Sequence, residues 1–159
     1  MKQLNTLDRV IVGASVVAFM TLFLPWYDVT VGPLSVTGSG GFVGSAGASC
    51  LTAAGAVLLY RRAGGSLLSG ANAGPSAPVA GLAAVGLVVV IVRWATLPRY
   101  NTGDPNLGYS VGPSYGLYLA LVAGIVETAA ALLALRTAGQ RRPWDAPAPE
   151  PEEQGRPET

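Results

Sequence analysis

The sequence predicts an all-α membrane protein: a bundle of four transmembrane helices with a short extracytoplasmic β-hairpin-like loop and a disordered C-terminal tail. Three observations predict it. Four apolar runs fall at residues 10–26, 42–60, 79–97 and 114–135, and each meets or approaches the roughly 20 residues of helix that a bilayer core requires. Half of the 159 residues are hydrophobic and 12% are charged, a balance that belongs to membrane proteins more than to soluble globules. Lys and Arg gather at alternate run ends, the pattern that sets the orientation of spans. Residues 1–137 therefore form one transmembrane domain and residues 138–159 a cytoplasmic tail.

The first run follows a short basic start, Lys2 and Arg9, as a signal peptide would. No small-x-small cleavage site follows Trp26, where Tyr27, Asp28 and Val29 come next, so it reads as an uncleaved helix. Arg61 and Arg62 follow the second run, and Arg136, Arg141 and Arg142 follow the fourth. The other side has Arg99, with Arg93 just inside the third span. Both termini are expected in the cytoplasm and the protein in the cell membrane. Trp26, Tyr27, Trp94, Tyr100, Tyr109, Tyr115 and Tyr118 all fall at the outer span ends, where amphipathic rings form a headgroup-level belt. Tyr60 and Trp144 mark the inner side.

In the first outer loop Val29 and Val31 alternate with Thr30. Gly32-Pro33 breaks the run, and Leu34 and Val36 then alternate with Ser35 and Thr37. Alternation at period two around a breaker predicts a hairpin. Such a hairpin is marginal alone and must lie on the helix ends or on the other outer loop. The second outer loop carries Pro98, Asp104-Pro105, Gly108 and Gly112-Pro113 and is expected to be irregular. The inner loop, residues 63–77, is rich in Gly, Ser, Ala and Asn and reads as a flexible connector, with Pro78 opening the third helix. The tail is Pro- and Glu-rich, a composition that reads as disorder or as a docking segment.

Small residues recur every fourth position in the second span (Gly40, Gly44, Ala48, Thr52, Ala56) and the fourth (Gly116, Ala120, Gly124, Thr128). Small residues let helix backbones approach closely where lipid supplies no hydrophobic drive. Either spans two and four meet, or each ridge packs on another neighbour, a homodimer seam included.

Glu127 is the one acid deep within a span, and an intramembrane carboxylate is a functional candidate by default. Its position between Ala123 and Ala131 faces it to the bundle. Arg93 is a partner by charge but not by depth. At about 1.5 Å per residue, Arg93 lies roughly 6 Å inside its helix end and Glu127 some 15–20 Å from its own. Arg93 is expected to reach the headgroups or to meet Asp28 or Asp104. Glu127 is expected as a neutral packing carboxyl bonded to a Ser or Thr such as Ser15, Thr21 or Thr52, with a proton or ion relay as the sharper alternative and a residue facing a partner helix as the third. The outer polar set of Asp28, Arg99, Asn101, Asp104 and Asn106 reads as a solvated loop or a binding surface.

The absences exclude more than the motifs assign. There is no His and one Cys, Cys50. A Cys/His metal site, an internal disulfide, His-ligated haem and the Ser-His-Asp triad are all ruled out. A net charge of +1 gives no electrostatic case for nucleic acid. No cofactor is implied. The partners implied are the lipid bilayer and a homo-oligomer or another membrane protein.

The order Leu24-Pro-Trp-Tyr-Asp-Val-Thr30, then Arg93-Trp94, Pro98, Asp104-Pro105 and Gly116-Leu-Tyr-Leu-Ala-Leu121, resembles small four-span actinobacterial membrane proteins with an LPWY-like outer motif. That group has no assigned activity, so the resemblance implies fold and location and no catalytic residue. The architecture also resembles claudin-like four-helix proteins. This outer loop is much shorter and lacks their paired cysteines, so their function is not carried over. The expected function is that of an integral membrane protein of structural, accessory or interaction type. The alternative is a small transporter or proton-coupled protein using Glu127.

Overall fold

The computed structural model describes residues 5–64, 77–97 and 109–139. They form, in order, α1 (Thr6–Thr21), β1 (Tyr27–Val31), β2 (Leu34–Gly38), α2 (Gly41–Arg62), α3 (Ala77–Ala95), β3 (Tyr109–Pro113) and α4 (Tyr115–Gly139). Lys2, Arg99, Tyr100, Asn101, Asp104, Asn106, Arg141, Arg142, Trp144, most of the inner loop and the tail from residue 140 lie outside the described residues.

Helix α1 begins four residues earlier than its apolar run because Asn5 caps it. Asn5 and Asp8 form a reciprocal capping box, which satisfies orphan N–H groups of the first turn. Asp8 is buried and also accepts from Arg62 Nη2, at 2.7 Å in the closer contact. That ion pair ties the start of α1 to the end of α2. The helix ends at Thr21 rather than at Trp26, through successive three-residue turns at Leu22, Phe23 and Leu24. Pro25 lacks the N–H that a further turn would need and pushes Leu24 out of the helical region.

The helices close in a ring, α1 on α2, α2 on α3, α3 on α4 and α4 on α1, with α2 and α4 diagonally opposed and barely touching. Helices α2, α3 and α4 are long and apolar enough to cross a membrane. At 16 residues α1 is shorter.

The small-residue ridges therefore meet other neighbours, not each other. On α2 the buried face runs through Gly44, Gly47, Ala48, Leu51, Ala54, Gly55 and Leu58. Thr52 is half-buried and Ala56 is exposed. A four-residue step overshoots one turn by about 40°, so a strict every-fourth row winds off the contact face within three steps. The closest approach of α2 is to α3. A Cβ on Gly47 would lie 3.2 Å from the Gly86 carbonyl oxygen, and one on Gly86 would lie 3.0 Å from that of Gly47.

The expected hairpin is present, with register Tyr27↔Gly38 through Val31↔Leu34. Gly32 takes a positive φ of 57°, and Pro33 fits the second position of a two-residue loop that opens with such a glycine. The second outer loop is not irregular throughout. Residues Tyr109–Pro113 form a strand paired antiparallel with β1, giving the order β2-β1-β3. A two-stranded hairpin is marginal, and a third strand completes its pairing.

The core has two apolar clusters. One lies toward the chain ends, around Ile11, Ala54, Leu58, Val79, Ala83 and Ala130. The other lies toward the sheet, around Ala18, Trp26, Leu51, Val90, Leu117 and Ala120.

Backbone atoms cannot yield as side chains do, so Gly86→Val is expected to lower stability by about 1–3 kcal/mol through overpacking. Ala56→Val, on the exposed face, is expected to leave it unchanged. Thermal unfolding in detergent measures both. Equal melting temperatures would show that the Gly47–Gly86 contact carries no constraint.

Candidate functional site

Glu127 lies midway along α4 and is completely buried. It falls between the two apolar clusters, one turn from Ala123 and one from Ala130. Across from it Ser15 occupies the matching gap on α1 between Ile11 and Ala18. Ser15 Oγ is 2.8 Å from Glu127 Oε1 and 2.9 Å from the Ile11 carbonyl oxygen. Gly55 of α2 makes the room, since a Cβ there would collide with Ser15 Oγ. Three helices thus converge on one hydrogen-bonded pair. Thr21 and Thr52, the other partners considered, turn to their own helices and donate to the Ala18 and Ala48 carbonyls.

The proton count at Ser15 is informative. A hydroxyl has one proton to donate, yet two acceptors lie within reach. The Ser15 hydroxyl is shared between them as donor, to Glu127 Oε1 and to the Ile11 carbonyl. Among the described residues Glu127 Oε2 has no hydrogen-bond partner, and neither does the buried Thr128 Oγ1.

Trp26 departs from the expected belt. It is 1% exposed and plugs the sheet end of the bundle. Its indole Nε1 donates to the Thr21 carbonyl at 2.7 Å. A Cβ on Gly40 or Gly44 would come within 2.9 Å of the ring, so Gly44 serves an indole rather than a helix backbone. Trp94, Tyr115 and Tyr118 are exposed at this end and can occupy a headgroup belt.

Tyr27 continues the plug. Its ring covers Gly38, where a Cβ would overlap it, and it packs partly against the sheet-side cluster. The Arg93 guanidinium carbon lies 5.8 Å from the Tyr27 ring centroid, within cation–π range. Asp28 points to the other sheet face, opposite Thr37 and Gly112, and no ion pair joins it to Arg93 among the described residues. Arg93 and Glu127 belong to different layers. Among the packing residues, Gly116 sits on the Pro25 carbonyl and Gly124 on Leu87 and Leu51, while Ala48 and Ala120 are fully buried. These ridges are used within the chain.

Three contacts have weak sequence signals. Asn5-x-x-Asp8 is a readable capping pattern, but its pairing with Arg62 is not. Gly47–Gly86 and Gly55–Ser15 join single glycines in a glycine-rich chain. Cys50 is free and half-buried. No metal-holding group of His, Cys, Asp and Glu occurs among the described residues.

No protein-family model matches the chain, and neither a curated protein nor a solved structure matches it.

Ser15→Ala leaves Glu127 buried without its partner, and the expected cost is about 1–3 kcal/mol. Replacing both partners by apolar groups removes that penalty, so Ser15→Ala with Glu127→Leu should recover most of the loss. Thermal unfolding of both variants measures this. A double variant less stable than Ser15→Ala alone would show that Glu127 has a further partner.

Proposed function

We propose that this chain is a four-span integral membrane protein of accessory or interaction type, without a catalytic role. Its ends lie on the cytoplasmic side of the cell membrane and its sheet on the opposite side. One observation carries the reading: the sheet is amphipathic, and its apolar face is exposed at the hairpin end, at Val31, Leu34 and Val36. Directly opposed residues share a face, so Tyr27, Val29, Val31, Leu34, Val36, Val111 and Pro113 fall on one side. Asp28, Thr30, Ser35, Thr37 and Ser110 fall on the other. Leu34 and Val36 are 70% and 66% exposed. Contiguous exposed apolar surface rimmed by polar residues marks an interaction site.

Two further arguments support the placement. At about 1.5 Å per residue, α1 with Leu22 spans roughly 25 Å of a hydrocarbon core about 30 Å thick. Its outward residues Val10, Val16, Val17, Met20 and Phe23 are all exposed and apolar, which suits lipid. The buried Trp26 extends the apolar column beyond the last turn. Among the described residues Arg9, Arg61, Arg62 and Arg136 lie at the end away from the sheet, and Arg93 alone lies at the sheet end. That asymmetry supports cytoplasmic termini.

The second reading, proton coupling through Glu127, is favoured by the unpartnered Oε2. Against it, Glu127 is flanked along the bundle axis by apolar clusters on both sides.

A photo-crosslinking side chain at Leu34 or Val36 is expected to yield adducts to a second protein in native membranes, and at Ser35 or Thr37 none. Adducts from neither face would remove the interaction reading. Proton flux in reconstituted vesicles that Glu127→Gln abolishes would replace it with the second.

A further inference from the structure

Among the described residues Arg93 is an arginine without an acid. It sits two residues before the end of α3. Its Nε is buried without a hydrogen-bond partner, and among the described residues no carboxylate pairs with the guanidinium. Desolvating part of a cation without a counter-charge is costly, so the half-buried Arg93 guanidinium is unmatched among the described residues and suits an anion. The side chain is nevertheless held in place. Tyr27 lies beneath the guanidinium carbon, and Tyr27 is itself fixed over Gly38, opposite it in the sheet register. With Nε turned into the protein and one face against Tyr27, the two Nη groups form the remaining donor edge. A planar fork of that kind suits two oxygens of one phosphate.

We propose that Arg93, oriented by Tyr27, binds the phosphate of an anionic glycerophospholipid in the leaflet at the sheet end. Charge complementarity selects an anion, and the surroundings select a lipid. Ile91, Val92 and Trp94, in the same stretch of helix, are exposed and apolar. An acyl chain would cover them where a free phosphate would leave them bare. The negative end of the α3 dipole opposes an anion. Thr96 offsets part of this by donating through Oγ1 to the Val92 carbonyl at 2.8 Å, and the Arg93 charge offsets more. The inference rests on the membrane placement and not on any protein partner of the sheet.

Trp94, exposed beside the site, reports it, and the buried Trp26 adds a background common to every variant. In full-length protein carrying Trp144→Phe, acyl-brominated phosphatidylglycerol is titrated against acyl-brominated phosphatidylcholine in neutral vesicles, and tryptophan quenching is read. The wild-type side chain is expected to prefer phosphatidylglycerol about tenfold, because the phosphate of phosphatidylcholine is already neutralised by its own choline. Arg93→Gln is expected to abolish the preference, and Arg136→Gln, at the opposite end, to leave it intact. If Arg93→Gln does not fold, Arg93→Lys keeps the charge without the fork and should reduce the preference several-fold. No preference in the wild-type protein, or one that survives both Arg93 variants, overturns the proposal. So does loss of the preference on adding excess inorganic phosphate at constant ionic strength, which would make free phosphate the ligand.

Discussion

The burial of Trp26 is the constraint on which the sheet end depends. The indole fills the space where α1 stops, and its N–H is satisfied by the last carbonyl of that helix. Its backbone N–H donates to Gly38 at the end of β2, and its carbonyl accepts from Ser114 just before α4. One residue therefore joins α1, the hairpin and the entry to α4. The large apolar ring supplies burial, its single polar atom is paired, and Gly40 and Gly44 leave it room. Pro25 beside it ends the helix and offers its carbonyl to the Gly116 N–H at 3.0 Å. The loss of a final helical turn in α1 and the attachment of the sheet are thus one event.

Ser15 and Glu127 impose a different constraint deeper in the bundle. Alanine and glycine layers pack in many registers, since their side chains are short and alike. A hydrogen-bonded pair has one register. Sliding α1 by a turn against α4 would leave a carboxyl in an apolar layer, at the cost of an unsatisfied buried polar group. Gly55 adds a steric condition from α2, because only a residue without a Cβ admits Ser15 there. The polar layer specifies how the helices align, while the apolar clusters above and below supply the bulk of the packing.

Much of this arrangement was legible in the sequence, and the parts that were not share a cause. Helix positions followed from apolar runs, and the hairpin from alternation around Gly32-Pro33, because both signals are local. The inward aspect of Glu127 followed from its helical phase relative to Ala123 and Ala131. Strand β3 was missed because Tyr109–Pro113 contains Gly and Pro and gains its strand character from β1, some 80 residues earlier. Trp26 was misplaced because an interfacial ring and a buried plug look alike at a span end, and only Gly40 and Gly44 in another helix distinguish them. The four-residue ridges overstated the contact between α2 and α4. A period read from small residues alone ignores the drift of such a row around the helix.

Among the described residues the hairpin end of the sheet has no second layer on its apolar face. A sheet with one apolar face ordinarily buries it on a helix or another sheet. Here the helices meet only the base, where Tyr27 covers Gly38 and Trp26 supplies the backbone bonds. Because attachment runs through the base, the strands hold their register without covering Val31, Leu34 and Val36. Among the described residues Leu34 and Val36 stay 70% and 66% exposed. The polar residues on the reverse face, Asp28, Thr30 and Thr37, give the sheet a defined wet side. The same base positions Tyr27 against Arg93, so the geometry that leaves the strands open also presents the one cation at this end of the described bundle. Loosening that base would therefore disturb the strand pairing and the Arg93–Tyr27 contact together.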